Sequence, residues 1–165
     1  EVFAAINKFQ QSSGNPNKNI DLLLNHFTQT QNYQQRFLVS SGSKLKSVSI
    51  TDVAYFFADQ KLNFLVEKTG KQYIVDSSLD KLEPMLNPTQ FFRINRQFII
   101  SFDSIKSMIN YSKSRIKIEL NPPIERETIV SVERSPDFKN WLNRYYLRLK
   151  LPNSNLQRVL FLIFR

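Results

Sequence analysis

Cysteine is absent from the 165 residues, glycine occurs three times and histidine once. Without thiols there is no disulfide scaffold, no cysteine nucleophile and no thiolate zinc site, an absence that fits a reducing compartment. Gly14, Gly42 and Gly70 are scattered, so no glycine-rich loop can cradle a phosphate, and neither a nucleophile elbow nor a zinc-binding helix motif occurs. A single histidine, His26, argues against a multi-histidine metal site and a histidine-based triad. No stretch reaches the roughly eighteen continuous apolar residues of a membrane span, and the N-terminus lacks a secretory pattern. Glu119, Glu125, Glu127 and Glu133 are interleaved with basic residues and read as solvated surface rather than a paired catalytic set. Nothing nominates a general base. The expectation is a non-enzymatic cytoplasmic protein with no metal and no other cofactor.

What is present points to a folded, basic domain. Hydrophobic residues make up 41% and charged residues 22%, close to globular averages, and the length allows one domain with flanking segments. Lys and Arg number 23 against 14 Asp and Glu, a net charge of +9 with a pI of about 9.9. Such a surface attracts polyanions, either nucleic acid or an anionic membrane. The excess is uneven: residues 1–35 are neutral, 36–110 carry ten cations against seven anions, and 111–165 carry eleven against five.

The chain divides by texture. Val2, Phe3, Ile6 and Phe9 recur at helical spacing, as in the last turns of a helix that begins upstream of Glu1. Residues 10–35 have a linker composition, within which Leu22, Leu23, Leu24 and Phe27 could form a short helix. From Arg36 onward, short β-branched and aromatic runs alternate with turn residues. Strands are expected over 36–40, 45–49, 53–58, 62–67, 72–75, 91–94, 98–101, 105–109, 115–120 and 127–132. Lys68-Thr69-Gly70-Lys71 reads as a hairpin loop and Asn121-Pro122-Pro123 as a turn. Ser77 and Asp80 form a capping-box pattern ahead of Leu79, Leu82 and Leu86, with Pro84 shortening that helix. Ser135 as N-cap, Pro136 and Asp137 open a second helix, whose stripe of Phe138, Trp141, Leu142 and Tyr145 is suited to docking on a sheet. The layout is therefore a stub and linker over 1–35, an all-β domain with two short helices over 36–148, and a tail over 149–165. Within that tail, residues 156–165 are apolar between arginines and read as a terminal helix, an interaction segment or appended sequence.

Two segments carry the chemistry of nucleic-acid binding. Asp59-Gln60-Lys61-Leu62-Asn63 joins two strands and offers a cation and two amides. Phe91-Phe92-Arg93-Ile94-Asn95-Arg96-Gln97-Phe98 embeds Arg93, Asn95, Arg96 and Gln97 between aromatic anchors. Arg can bond a guanine edge in bidentate fashion, and Asn or Gln can do so with adenine. The same residues also fit the solvated polar faces of strands, and charge alone does not decide.

The order of the segments does more. The block from Phe91 to Ile100, followed by Ile105 and then by Ile129-Val130-Ser131 ahead of a helix, resembles the LytTR family of bacterial DNA-binding domains. Val53-Ala54-Tyr55-Phe56-Phe57 and Ser78-Leu79-Asp80-Lys81-Leu82 stand where that family has an aromatic strand and a short helix. The resemblance covers about residues 36–144. It implies an elongated all-β fold of short antiparallel sheets that inserts loop residues into successive major grooves of double-stranded DNA. Such a domain is usually the output of a two-component response regulator in a phosphorelay, with a sensor histidine kinase as upstream partner and dimerisation on DNA. The stub at 2–9 is similar to the end of a receiver domain. By the same resemblance the DNA contacts fall at Asn63 with Lys61, at Asn95 and Arg96 with Gln97, and at an Arg directly after Ser131. Here the sequence departs from the pattern: Val132 follows Ser131, and Arg134 is the substitute two residues on. Arg93 has a structural alternative, tying the block to a neighbouring strand. The competing reading is a basic β-domain acting as a protein or membrane interaction module through 156–165, and a further rival is sequence-neutral or RNA binding.

Overall fold

The computed structural model describes residues 33–111 and 115–149. The readings placed on the stub, the linker, His26 and the apolar tail lie outside the described residues. Nine strands form three antiparallel sheets. β1 (Arg36–Ser41) and β2 (Lys44–Ser49) are a hairpin. β3 (Val53–Asp59), β4 (Leu62–Glu67), β5 (Gln72–Val75), β6 (Phe91–Arg93) and β7 (Phe98–Ser101) make the central sheet in the order β5-β4-β3-β7-β6. β8 (Ile105–Tyr111) and β9 (Arg115–Leu120) form the last hairpin. Two helices complete the domain, α1 (Leu79–Leu82) and α2 (Ser135–Leu149).

The sequence of β3 explains its central place. All five residues from Val53 to Phe57 are buried, the signature of a strand covered on both faces. Phe56 points into a cluster with Phe37, Val48, Leu65, Leu82 and Ile99, contributed partly by the β1–β2 hairpin and α1. Tyr55 and Phe57 point the other way, into a cluster with Phe98, Ile116, Ile118, Phe138 and Leu142 from the last hairpin and α2. The stripe of α2 docks as its spacing requires: Phe138, Trp141 and Leu142 are buried, Trp141 Nε1 donates to the Pro88 carbonyl at 2.9 Å, and Tyr145 stacks on Phe102. A polar tie fastens the first hairpin to the central sheet. Lys46 Nζ donates to Glu67 at 2.5 Å and to the Tyr73 hydroxyl at 2.9 Å. Burial alone would raise the Glu67 pKa, but the Lys46 ammonium and the Thr69 hydroxyl outweigh it and hold the carboxyl below its ordinary value.

Three local expectations are corrected. Residues 127–132 are not a strand; Ile129 makes only an isolated bridge to Lys117. The segment bonds β9 through Thr128 and Val130, and its next amide, Ser131 N, turns to Ile94 O just after β6, so no ladder can extend. The capping box at Ser77 does not form: Ser78 precedes α1 without a side-chain cap, and the helix passes after one turn into a 3-10 turn over Glu83–Met85 containing Pro84. Ser135 lies inside α2, and its hydroxyl donates back to Ser131 O at 3.0 Å instead of accepting a helical amide.

Two measurements check this packing. Phe138→Ala removes a fully buried ring from the larger cluster and is expected to cost about 3–5 kcal/mol in denaturant unfolding. Tyr55 is fully buried, donates to Pro122 O at 3.1 Å, and burial pushes its phenol up to about 12 from 10.0. A folded pKa above the unfolded one means stability is intact below pH 10 and falls as pH rises toward 12. Thermal unfolding should therefore fall more steeply over that interval in the native chain than in Tyr55→Phe.

Candidate nucleic-acid interface

Three connections converge at one end of the central sheet. Ala58, near the end of β3, faces Asn63 of β4 across the ladder, and on its other side its amide donates to Gln97 O at 2.9 Å. Asn63 and Gln97 therefore flank the same residue from the two neighbouring connections. The segment after Val130 joins them through the 3.0 Å bond from Ser131 N to Ile94 O.

Each connection is held by its own chemistry. Between β3 and β4, Gln60 and Lys61 both take positive φ, 45° and 69°, as a two-residue hairpin turn matching the strand twist demands. Neither is glycine, so the tip carries the strain of two left-handed side-chain-bearing residues and lifts Lys61 into solvent. Between β6 and β7, Asn95 is the keystone. Its Oδ1 accepts from Gln97 N at 2.7 Å, and its Nδ2 donates to Ile129 O at 2.8 Å. Arg93 braces the same loop from below: Nε donates to Asn95 O at 3.1 Å, Nη2 to Arg96 O at 3.3 Å, and Nη1 to Asp80 and Glu83 at 2.5 and 3.0 Å. Burial would lower the pKa of this nearly enclosed guanidinium, but the two carboxylates outweigh it and raise it. Arg134 completes the network, donating through Nη1 to Glu83 at 3.0 Å and to Arg93 O at 3.1 Å.

The loop beyond β6 and the turn at 131–134 enclose an open concavity of about 1100 Å³, lined among others by Asn95, Arg96, Gln97, Val132 and Arg134. Four of the six residues expected to touch nucleic acid thus share one surface. Lys61 and Asn63 lie outside that lining, on the β3–β4 connection at the same sheet end. Electrostatically the concavity is not a uniform cationic basin. Asp80 and Glu83 neutralise Arg93, and Glu83 also engages Arg134. Lys61 and Arg96, both exposed, form no ion pair among the described residues. The sequence reading missed Asp80, Glu83 and Glu133 as neighbours of the site. Asp80 had been assigned to a helix cap, and no short-range signal connects Glu83 to Arg134.

The family model of the LytTr DNA-binding domain matches residues 43–143, which include all three connections. The chain belongs to the LytTR family. The all-β architecture agrees with a solved LytTr DNA-binding domain of a response regulator from Bacillus cereus, at 19% identity and a TM-score of 0.59. That match covers 66% of this chain and 97% of the other and establishes the likeness of fold. In this LytTR domain the Phe-Arg block is partly architecture: Arg93 is structural, though it ties the block to α1 and the 3-10 turn after it rather than to a neighbouring strand, and Asn95 shapes the loop with both ends of its amide.

That division is measurable. Asn95→Ala leaves Gln97 N and Ile129 O without their side-chain partner and should cost about 1–3 kcal/mol, with faster amide exchange at Gln97. Arg96→Ala, an exposed change, should stay within about 0.5 kcal/mol of the native stability.

Proposed function

We propose that this LytTR domain is the sequence-specific output domain of a response regulator and reads the major groove of double-stranded DNA with the end of its central sheet. Arg96, Gln97 and Asn63 reach base edges, and Lys61 neutralises a phosphate. Asn95 and Arg134 border the same surface. Each spends part of its hydrogen-bonding capacity inside the protein and has donors left over, one amide hydrogen on Asn95 and the Nε and Nη2 groups on Arg134. Control by a sensor histidine kinase through an upstream receiver, pairing of two chains on DNA and a cytoplasmic location belong to the same reading.

One observation carries it. Arg96 and Gln97 are exposed on a loop whose backbone is fixed at three points, by Arg93, by the Asn95 side chain and by the Ala58 amide. A cation and an amide on a rigid loop meet a base edge without the added cost of ordering the backbone beneath them. Specificity then comes from a few preorganised donors, while the remaining positive charge supplies encounter.

Binding should weaken with salt at a log–log slope near −0.9 per neutralised phosphate, and Lys61→Ala should reduce that slope by about one phosphate's share. Arg96→Ala should cost about 1–3 kcal/mol on the preferred duplex and much less on a scrambled one. Equal loss on every duplex would make Arg96 a phosphate clamp and remove the base-reading assignment.

A further inference from the structure

The concavity holds one residue whose chemistry differs from its neighbours. Val132 is 55% exposed on a surface whose other side chains are all polar or charged, among them Asn95, Arg96, Gln97, Glu133 and Arg134. An isolated exposed aliphatic is ordinary on a protein surface. Val132 is set apart by how it is held. Ser131 N is bonded to Ile94 O, Arg134 N to Ser131 O at 3.1 Å, and Ser135 N to Val132 O at 3.3 Å, so Val132 and Glu133 are the central residues of a closed turn that runs directly into α2. Arg134, the next cation, commits its Nη1 to Glu83 and Arg93 O while still bordering the concavity. The side chains this turn exposes most are therefore an isopropyl group and the carboxylate of Glu133, with the partly exposed Arg134 beside them.

That pair is unsuited to phosphate, because the carboxylate repels it and the valine has nothing to donate. It suits the floor of a major groove, where the only apolar feature on any base pair is the C5-methyl group of thymine. From this geometry we infer that Val132 is a specificity-determining residue that packs on a thymine methyl, making the base pair facing the 131–134 turn a T·A pair. The inference rests on the proposed reading of DNA by this surface. It assigns to the turn a recognition by apolar contact, beside the hydrogen-bonding recognition by Arg96 and Gln97.

The test uses the full chain and a duplex selected by it from a random pool. Each thymine of the selected site is replaced in turn by deoxyuracil, which lacks only the methyl group. At one position per half-site the replacement should weaken binding about three- to fivefold, the value of one buried methyl. Val132→Ala, whose shorter side chain covers less of the methyl, should shrink that penalty, while Arg96→Ala keeps it in full. The inference is overturned if the selected duplex binds tightly and no uracil substitution matters, or if Val132→Ala retains the full penalty. If no duplex is enriched from the pool, the DNA reading itself fails and this inference falls with it. Because Val132 is exposed, thermal unfolding of Val132→Ala should match the native chain, which separates lost recognition from lost folding.

Discussion

The candidate interface depends on one nearly enclosed guanidinium. Arg93 lies on β6 with its side chain 9% exposed, and a charge removed from water is tolerable only when it is paired and its donors are satisfied. Asp80 and Glu83 supply the charge, and the carbonyls of Asn95 and Arg96 each take one further hydrogen. The planar fork reaches two carboxylates on the α1 side and two loop carbonyls at once, a geometry that an ammonium group does not offer. Those two carbonyls belong to the residues that the loop presents. Through the same carboxylate, Glu83, Arg134 is drawn to the network, and the most exposed side chains of the turn at 131–134 are Val132 and Glu133.

The fold was largely legible because its signals are local. Buried strands such as β3 appear as continuous apolar runs, β9 as strict alternation, and α2 as an aromatic stripe at helical spacing. The expected strand at 127–132 shows where a local pattern misleads. Thr128 and Val130 are buried as alternation suggests, but a strand also needs a continuing partner, and Ser131 finds its partner in the β6–β7 connection. The site was legible in composition and not in the bonds that hold it. Asn95 reads as a base-contacting amide, and the bond that also ties it to the loop reaches Ile129, 34 residues on, while Arg134 is tied to Glu83, 51 residues away. Side-chain hydrogen bonds over such separations leave no periodicity in the sequence.

The same limit applies to charge. A net of +9 identifies a polyanion partner but not the surface that meets it. Among the described residues, Lys46, Lys68, Arg93, Lys106, Lys117, Arg126 and Arg134 are all ion-paired with carboxylates. Pairing removes a cation from competition for phosphate, since a carboxylate at 3 Å is already in place and an incoming phosphate must displace it. The cations left over at the sheet end, Lys61 and Arg96, sit on two different connections flanking the same strand. One stands at the tip of a tight hairpin turn and the other on a braced loop. Two fixed cations separated by a rigid strand constrain orientation as well as affinity. On the proposed reading, recognition follows from which charges the fold leaves unpaired and how firmly it holds them, more than from how many the sequence contains.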